Sequence, residues 1–482
     1  MKRFFTVFLA LVLFLTTLLG TPAVLKVRAD EKHKLLENLT FVVNNSGSYT
    51  IRTIHDSYAN NRFVSMRDMA AALAGTEKRF ELSVTASEIL ITSGVDYVPV
   101  GGENTPFSEE DTVYPTASLR LNSMKLNDEP LKYHTYIGKN AEDHPDAFLC
   151  ITDMAMLLDA DMWFSEGKLC IDTQKSFQVN MLELEASGFF LEVKAALVGD
   201  AGTGEVFEEY DADKPVPIAS TTKLMTCLLV LDAIAAGDLS LEDRISLSNN
   251  AALLSRTSDG VIAMNAGGSA ALWELLYGML LPSSNECALA MAEHIAGSEE
   301  SFVERMNKKA IELGLSSGTI FYNCHGLPVF TDNITASKIQ NHMTARDMFT
   351  LVCHLLNTYP QVTEITSCKE MQLPSFNNKK ITNTNPLLYN LPNAIGLKTG
   401  TTNASGASLV SAAKAPDKEG KEHIIVAVEF GAEDGSARNT VSQVLLRYGC
   451  SALINRRESV IEKEEPLSET EALVRSILEL ME

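Results

Sequence analysis

The sequence predicts an α/β protein in two unlike parts: a small α/β repeat domain, then a larger sheet flanked by helices and interrupted by a helical insertion. Three observations predict this. A stretch beginning at Phe63 recurs at Phe148 without gaps, each copy a short strand running into an apolar helix. From about Leu182 to Leu453, a strand hairpin, a run of helices and closing strands follow one another. Such an order suits a sheet covered by helices, with a site at their junction. Finally, Ser220-Thr221-Thr222-Lys223 opens the first long apolar helix of that second part.

The elements divide the chain into residues 1–29, 30–175, 180–453 and 454–482. In the first, Lys2 and Arg3 precede an apolar run from Phe4 to Leu19, and Val27-Arg28-Ala29 supplies small residues before Asp30. This predicts a secretory signal peptide. An uncleaved anchor is the alternative, because the run approaches spanning length. In the second, Phe63–Leu73 aligns with Phe148–Leu158, and a strand pair follows, clearest at Met162–Phe164 and Lys168–Ile171. In the third, Leu191–Val198 and Glu205–Phe207 read as a hairpin. Helices are expected at Ser220–Ala236, Ala271–Leu281, Glu286–Ile295, Ser301–Leu313 and Thr344–Leu356, and strands at Gly406–Ala412 and His423–Phe430. In the fourth, a charged linker precedes a capping box at Ser468–Glu471 and an apolar stripe through Met481. Arg475 is its only basic residue, so this helix is not expected to hold an anionic membrane.

The formal charge of −22 argues against nucleic acid or anionic lipid as a partner. A hydrophobic content of 45% is that of a folded globular chain. Export permits disulfides, yet Cys227, Cys287 and Cys353 sit in apolar helical contexts where a thiol packs as a small hydrophobe. Cys150 and Cys170 can pair, but free thiols are the expectation for most of the eight. No Cys/His pair has zinc spacing, and neither metal nor cofactor is expected.

Chemistry concentrates in three motifs: Ser220-Thr221-Thr222-Lys223, Ser283-Ser284-Asn285 and Lys398-Thr399-Gly400. A serine hydroxyl is a weak nucleophile without a base in hydrogen-bond reach. Residues three apart on a helix share a face, so Lys223 can supply that base without a histidine. The same S-x-x-K spacing at Ser165–Lys168 reads as a hairpin turn, and at Ser411–Lys414 as a strand whose alternate residues diverge. Gly314-Leu315-Ser316-Ser317-Gly318 has the spacing of a nucleophile elbow. A helix precedes it, however, so Gly314 reads as a helix cap. His325 and His342 read as structural, and Arg346-Asp347 as an ion pair at a helix start.

The ordered S-x-x-K, S-x-N and K-T-G motifs are those of penicillin-recognising serine enzymes. With Pro217–Lys223, Leu280–Asn285, Cys324–Pro328, Thr344–Met348 and Gly396–Thr401, residues 190–453 resemble a D-alanyl-D-alanine carboxypeptidase of the low-molecular-mass penicillin-binding proteins. One departure is Cys324, where the family usually has proline; it is expected to be harmless. The resemblance implies the penicillin-binding-protein/β-lactamase-like transpeptidase fold. It implies Ser220 as nucleophile, Lys223 as its base, Ser283 as proton relay and Asn285 as orienting amide. Lys398, Thr399, Gly400 and Thr401 would then bind substrate, with the N–H groups of Ser220 and Thr401 as oxyanion hole. Arg438 is either a second carboxylate ligand or a solvated surface arginine.

The implied partners are peptidoglycan stem peptides ending in D-Ala-D-Ala and β-lactams as covalent inhibitors, with action outside the cytoplasm at the cell wall or outer membrane face. Membrane association stays possible, though not through a basic C-terminal helix. The alternatives are a catalytically silent peptidoglycan-binding or spore-wall assembly protein, and a serine β-lactamase. No E-x-x-L-N stretch between Asn285 and Lys398 supplies the glutamate a class A β-lactamase uses for deacylation. The repeat in residues 30–175 resembles the N-terminal module of copper amine oxidase-like proteins, without a histidine cluster to carry copper.

Overall fold

The computed structural model describes residues 34–56, 61–85, 87–107, 119–140, 142–177, 193–257, 259–329 and 339–455. The expected signal peptide and the acidic C-terminal helix lie outside the described residues.

The N-terminal module repeats one order of elements twice. The first copy is β1 (Lys34–Val43), β2 (Gly47–Asp56), β3 (Asn61–Ser65), α1 (Met66–Ala72), β4 (Phe80–Val84) and β5 (Ile89–Ser93). The second is β6 (Arg120–Leu126), β7 (Glu129–Lys139), β8 (Pro145–Cys150), α2 (Ile151–Leu158), β9 (Asp161–Ser165) and β10 (Lys168–Asp172). All ten strands form a single sheet in the order β4-β5-β6-β7-β8-β3-β2-β1-β10-β9. Exchanging the copies leaves that order unchanged when it is read from the other end. At its centre Val64 faces Leu149, the two residues the sequence repeat aligns, so a local twofold passes between β3 and β8.

The duplication therefore extends beyond the helix-containing stretch legible in the sequence. It is also intertwined: β5 of the first copy pairs with β6 of the second, and β10 of the second with β1 of the first. Neither copy has a complete sheet alone. The strand-to-helix junction at Ser65 is set by its hydroxyl, which accepts from the Asp68 N–H and caps α1. Phe41, Ile51, Val64, Met69, Leu149 and Leu169 form the shared core and are at most 0% exposed. Each such side chain contributes roughly 1.5–3 kcal/mol by its burial.

The second part begins with the hairpin β11 (Ala195–Asp200) and β12 (Val206–Tyr210). A 3-10 turn, Ala219–Thr222, leads into α3 (Lys223–Ala235). The helical insertion follows as α4 (Asn249–Leu254), α5 (Leu272–Leu280), α6 (Asn285–Ala296), α7 (Glu299–Glu312), α8 (Ala345–Thr358), α9 (Val362–Thr366) and α10 (Leu387–Asn390). The chain closes with β13 (Ala394–Thr402), β14 (Gly406–Pro416), β15 (Glu422–Ala432) and α11 (Gly435–Asn455). These five strands form an antiparallel sheet, β12-β11-β15-β14-β13. The mixed α/β architecture is the one the sequence predicts. Helix α3 is buried along Leu224, Met225, Cys227, Leu228 and Val230, which explains its nearly continuous apolar sequence.

Helix α11 was not expected from the sequence, and its packing explains why. Ala437, Val441, Val444 and Leu445 pack on the sheet in one cluster with Val198, Leu409 and Ile425, and Met156 of α2 joins that cluster. Its polar residues Asn439, Thr440 and Gln443 are buried as well. A helix buried on both sides shows no polar stripe for a sequence reading to detect.

No disulfide joins any of the eight cysteines, Cys150 and Cys170 included. The hairpin turn at Ser165–Lys168 has Glu166 at φ 51° and Gly167 at φ 76°, while Ser411 is buried within β14. Gly314, at φ 70°, follows the end of α7, and the Ser316 hydroxyl donates to Asp347. Among the described residues, neither Ser411, which donates to Ala427 O, nor Ser316 hydrogen-bonds a lysine. No helix among the described residues is long and apolar enough to cross a membrane.

Candidate active site

Ser220 does not lie in regular α-helix; it is in the 3-10 turn just before α3. The turn is entered through Ala219 at φ 46°, a left-handed conformation unusual for a residue with a Cβ. It is pinned by Thr221, whose N–H (3.2 Å) and hydroxyl (2.7 Å) both donate to Ile218 O. Asn341, fully buried, donates to Thr222 Oγ1 (3.0 Å) and Asn323 O (2.9 Å), while its carbonyl accepts from the Tyr322 N–H (2.7 Å).

Lys223 is fully buried, and its Nζ lies 2.9 Å from Ser220 Oγ, 2.7 Å from Asn285 Oδ1 and 2.7 Å from His325 O. Burial lowers its pKa to about 7, and the nearby Cys324, Glu286 and Cys287 only partly oppose this. A neutral amine has two N–H bonds and one lone pair. Asn285 Oδ1 and His325 O can only accept, so they take both N–H bonds, and the lone pair is left for the Ser220 hydroxyl. The geometry thus suits proton acceptance from serine.

Lys398 is also buried, donates to Thr399 O at 3.0 Å, and has its pKa driven well down by burial and then by the charges of Lys223 and Arg438. Burial is what lowers Lys223, while on Lys398 like charge adds to burial.

The second motif divides. Asn285 reaches Lys223, and its Nδ2 donates to Asp259 O at 3.0 Å. Ser284 caps α6, its hydroxyl accepting from the Cys287 N–H. Ser283 is half-exposed at φ 70°, and among the described residues its hydroxyl has no hydrogen-bond partner. The structure therefore brings Asn285, not Ser283, into direct contact with the lysine.

On the third motif, β13 is the edge strand facing the nucleophile turn. A Cβ on Gly400 would lie 3.0 Å from Ile218 O and 3.1 Å from Ser220 N. The space this glycine leaves is filled by the nucleophile turn itself. Thr399 Oγ1 meets Thr384 Oγ1 at 2.6 Å, and exposed Thr401 folds its hydroxyl onto Gly400 O. Arg438 is 9% exposed, so the reading as a solvated surface arginine is excluded. Its Nε donates to Asn439 Oδ1 at 3.0 Å, and among the described residues its two Nη groups have no protein acceptor.

Several positioning groups were not legible in the sequence. The His325 carbonyl is backbone, so no side-chain pattern reveals it. Asn323 Oδ1 accepts from the N–H groups of His325 (3.2 Å) and Gly326 (2.6 Å), shaping the loop that presents it. Glu286 accepts from the N–H groups of Val261 and Ile262, fixing the segment whose Asp259 carbonyl holds Asn285. Cys324 donates its N–H to Glu299 Oε1 at 3.0 Å, a bond that a proline there could not make.

The His325 ring accepts from the Leu327 N–H at 3.1 Å, and burial followed by the charge of Lys223 lowers its pKa to about 3. His342 donates from Nδ1 to Gln340 O at 2.6 Å. Both are structural. The expected Arg346–Asp347 pair is absent: Arg346 binds Glu209 and Asp213, while Asp347 accepts from Ser316 and Thr319. Neighbouring helical residues point in different directions, which prevents the pairing.

Gly326 is where the turn tolerates no side chain. A Cβ there, at φ 92°, would lie 1.9 Å from Ala219 O and 3.0 Å from Ser220 N. Gly326→Ala is expected to displace Ser220 and slow acylation by about 100-fold, since misplacements near 1 Å have effects of that size. The rate of labelling by a fluorescent penicillin, at a temperature where the variant is shown to be folded by circular dichroism, checks this.

The chain was compared with known proteins. The family profile described as D-alanyl-D-alanine carboxypeptidase matches residues 183–433, leaving the N-terminal module outside the match. The D-alanyl-D-alanine carboxypeptidase DacF of Bacillus subtilis is 33% identical over 262 residues, covering 54% of this chain and 62% of that one. DacC of Escherichia coli is 31% identical over 264 residues, covering 54% and 61%. The chain thus spans about three fifths of the length of these curated relatives. Among solved structures, a peptidoglycan synthesis regulatory factor (PBP3) of Streptococcus pneumoniae is 32% identical, with 54% and 72% coverage and a TM-score of 0.49. Penicillin-binding protein D2 of Listeria monocytogenes, solved in an ampicillin-bound form, is 30% identical, with 54% and 97% coverage and a TM-score of 0.46. Because the family profile matches more than half of this chain, through the segment that carries Ser220, Lys223, Asn285 and Lys398, the chain belongs to the D-alanyl-D-alanine carboxypeptidase family.

Proposed function

We propose that this chain is a serine-type D-Ala-D-Ala carboxypeptidase, exported by its N-terminal segment and acting on peptidoglycan stem pentapeptides. The observation that carries the reading is the buried Lys223 amine, held by two carbonyl oxygens with its remaining valence toward Ser220 Oγ at 2.9 Å.

In this mechanism the Ser220 oxygen attacks the carbonyl carbon between the two D-alanines as its proton passes to Lys223 Nζ. The carbonyl oxygen becomes an oxyanion between the N–H groups of Ser220 and Thr401, each worth about 3–4 kcal/mol where such donors have been removed. The C–N bond then breaks. The proton held by Lys223 goes to the departing amine, with the half-exposed Ser283 hydroxyl as its relay, and free D-alanine leaves. Water, deprotonated by Lys223, attacks the resulting ester and releases the shortened peptide and Ser220. Lys398, Thr399 and Arg438 receive the terminal carboxylate. Burial holds the Lys398 amine below the ordinary lysine range, and an arriving carboxylate favours its protonated form. Removing the terminal residue eliminates the bond that donates to a cross-link. β-Lactams enter at the same serine and remain as esters. The N-terminal module is read as an accessory unit of the wall enzyme.

The test is D-alanine release from a Lys-D-Ala-D-Ala peptide by the chain, with Ser220→Ala beside it, and mass spectrometry of the penicillin adduct. Release by the first alone, with the adduct on the Ser220 peptide, is expected. Release by both, or an adduct elsewhere, would remove Ser220 from the mechanism.

A further inference from the structure

The N-terminal module touches the second part of the chain at one place of interest, and its internal symmetry shows what is special there. Strand pairing places Thr53 opposite Val64 in the first copy and Thr135 opposite Leu149 in the second. Because Val64 and Leu149 are equivalent, Arg52 of the first copy corresponds to His134 of the second. The sequence repeat likewise makes Asp68 equivalent to Asp153.

In the first copy this pair closes on itself: Arg52 donates to Asp68 from Nε (2.9 Å) and Nη2 (2.7 Å), fully buried. In the second copy the same two positions turn outward to adjacent residues of α11. Asp153, 3% exposed, accepts from Thr440 Oγ1 at 3.0 Å, and His134 Nδ1 meets Asn439 Nδ2 at 3.2 Å. Gly435 admits the imidazole: a Cβ there would lie 2.9 Å from His134 Nε2.

The contact leads to the site. The Asn439 carboxamide lies between two groups: its Oδ1 accepts from Arg438 Nε at 3.0 Å, and its Nδ2 donates to His134 Nδ1. That donation requires an unprotonated Nδ1. Burial and the charge of Arg438 hold the imidazole down to about 4, so it is neutral near pH 7. The amide is thereby fixed in one orientation, which aims the guanidinium and leaves its Nη groups for a ligand.

We propose that His134, brought by the N-terminal module, is a positioning residue for Arg438 acting through the Asn439 carboxamide, so that the module forms part of the carboxylate-recognition apparatus. This rests on the reading of Arg438 as a ligand of the substrate's terminal carboxylate.

The test compares Lys-D-Ala-D-Ala with its C-terminal carboxamide on the whole chain. His134→Ala is expected to reduce the preference for the free acid about five- to tenfold, the effect of one lost hydrogen bond. The loss falls on KM for the acid, with kcat nearly unchanged. His134→Asn places an amide oxygen where Nδ1 stood and should restore the preference. Asn439→Ala, which removes the same link from the catalytic side, should reproduce the loss if His134→Ala does not fold. A module that only stabilises the chain would lower both substrates together. If His134→Ala and Asn439→Ala keep the wild-type preference while D-alanine is released, the proposal is overturned and the enzymatic reading stands. If the wild type shows no preference for the acid, the carboxylate reading of Arg438 fails, and this proposal fails with it.

Discussion

Lys223→Ala lowers the rate of acylation by penicillin and by peptide about 1,000-fold or more, whereas Ser220→Ala, alone or combined with it, forms no adduct at all. The first part follows from the loss of the only base within hydrogen-bond reach of Ser220 Oγ among the described residues. The second follows because the ester forms on the Ser220 oxygen itself. Replacement by arginine does not rescue, because a guanidinium keeps its proton. The measurement is stopped-flow or gel-based acylation by a fluorescent penicillin for wild type and Lys223→Ala, with Ser220→Ala as the blank. Acylation of Lys223→Ala at the wild-type rate would show that Lys223 is not the base.

The same geometry predicts a pH dependence. The lysine must be neutral to accept the serine proton, and burial lowers its pKa to about 7. Acylation by the free enzyme therefore rises with pH through about 7 and levels off above it. A limb centred near the ordinary lysine value would mean that the site does not hold its amine dry. Asn285→Ala removes one of the two carbonyl acceptors that fix the lone pair on Ser220. The plateau should drop while the limb remains, which separates orientation of the amine from its protonation.

The sequence revealed most where chemistry depends on short spacing. Ser220 and Lys223 lie three apart and meet; Asn285 lies 62 positions from Lys223 and was still legible, because its motif places it at the start of α6. Long-range packing was not legible. The His325 carbonyl has no side-chain signature, and Asn323, Asn341 and Glu286 resemble ordinary polar loop and helix residues. Arg438 showed no sign of burial, since α11 is covered by the sheet on one side and the N-terminal module on the other. In the module, the helix-containing stretch announced the repeat, but the exchange of hairpins did not. Pairing β5 with β6 and β10 with β1 is a choice of partner between similar apolar strands, and only the assembled sheet reveals it.

The module's own stability hinges on Arg52, and Arg52→Leu is expected to destabilise it by about 3–5 kcal/mol, the range for removing one partner of a buried ion pair. One guanidinium lies against two buried carboxylates: Nη2 is 2.7 Å from Asp68 Oδ1 and 3.0 Å from Asp146 Oδ2. With one positive charge for two acids, burial raises Asp146 to about 6; Arg52 opposes this and Asp68 adds to it. The sign of the linkage follows. A carboxyl with a raised folded pKa binds its proton more tightly when folded, so its contribution is present at low pH and is lost as pH rises from about 3.8 to about 6. The wild-type module should therefore melt higher at pH 5 than at pH 7. Arg52→Leu should widen that difference, because the remaining acids repel without a counter-charge. Adding Asp68→Asn to Arg52→Leu should recover part of the loss and narrow the difference again. Calorimetry of the whole chain at the two pH values resolves these outcomes. An Arg52→Leu transition unchanged in position would show that the hairpin exchange, not the buried ion cluster, holds the two copies together.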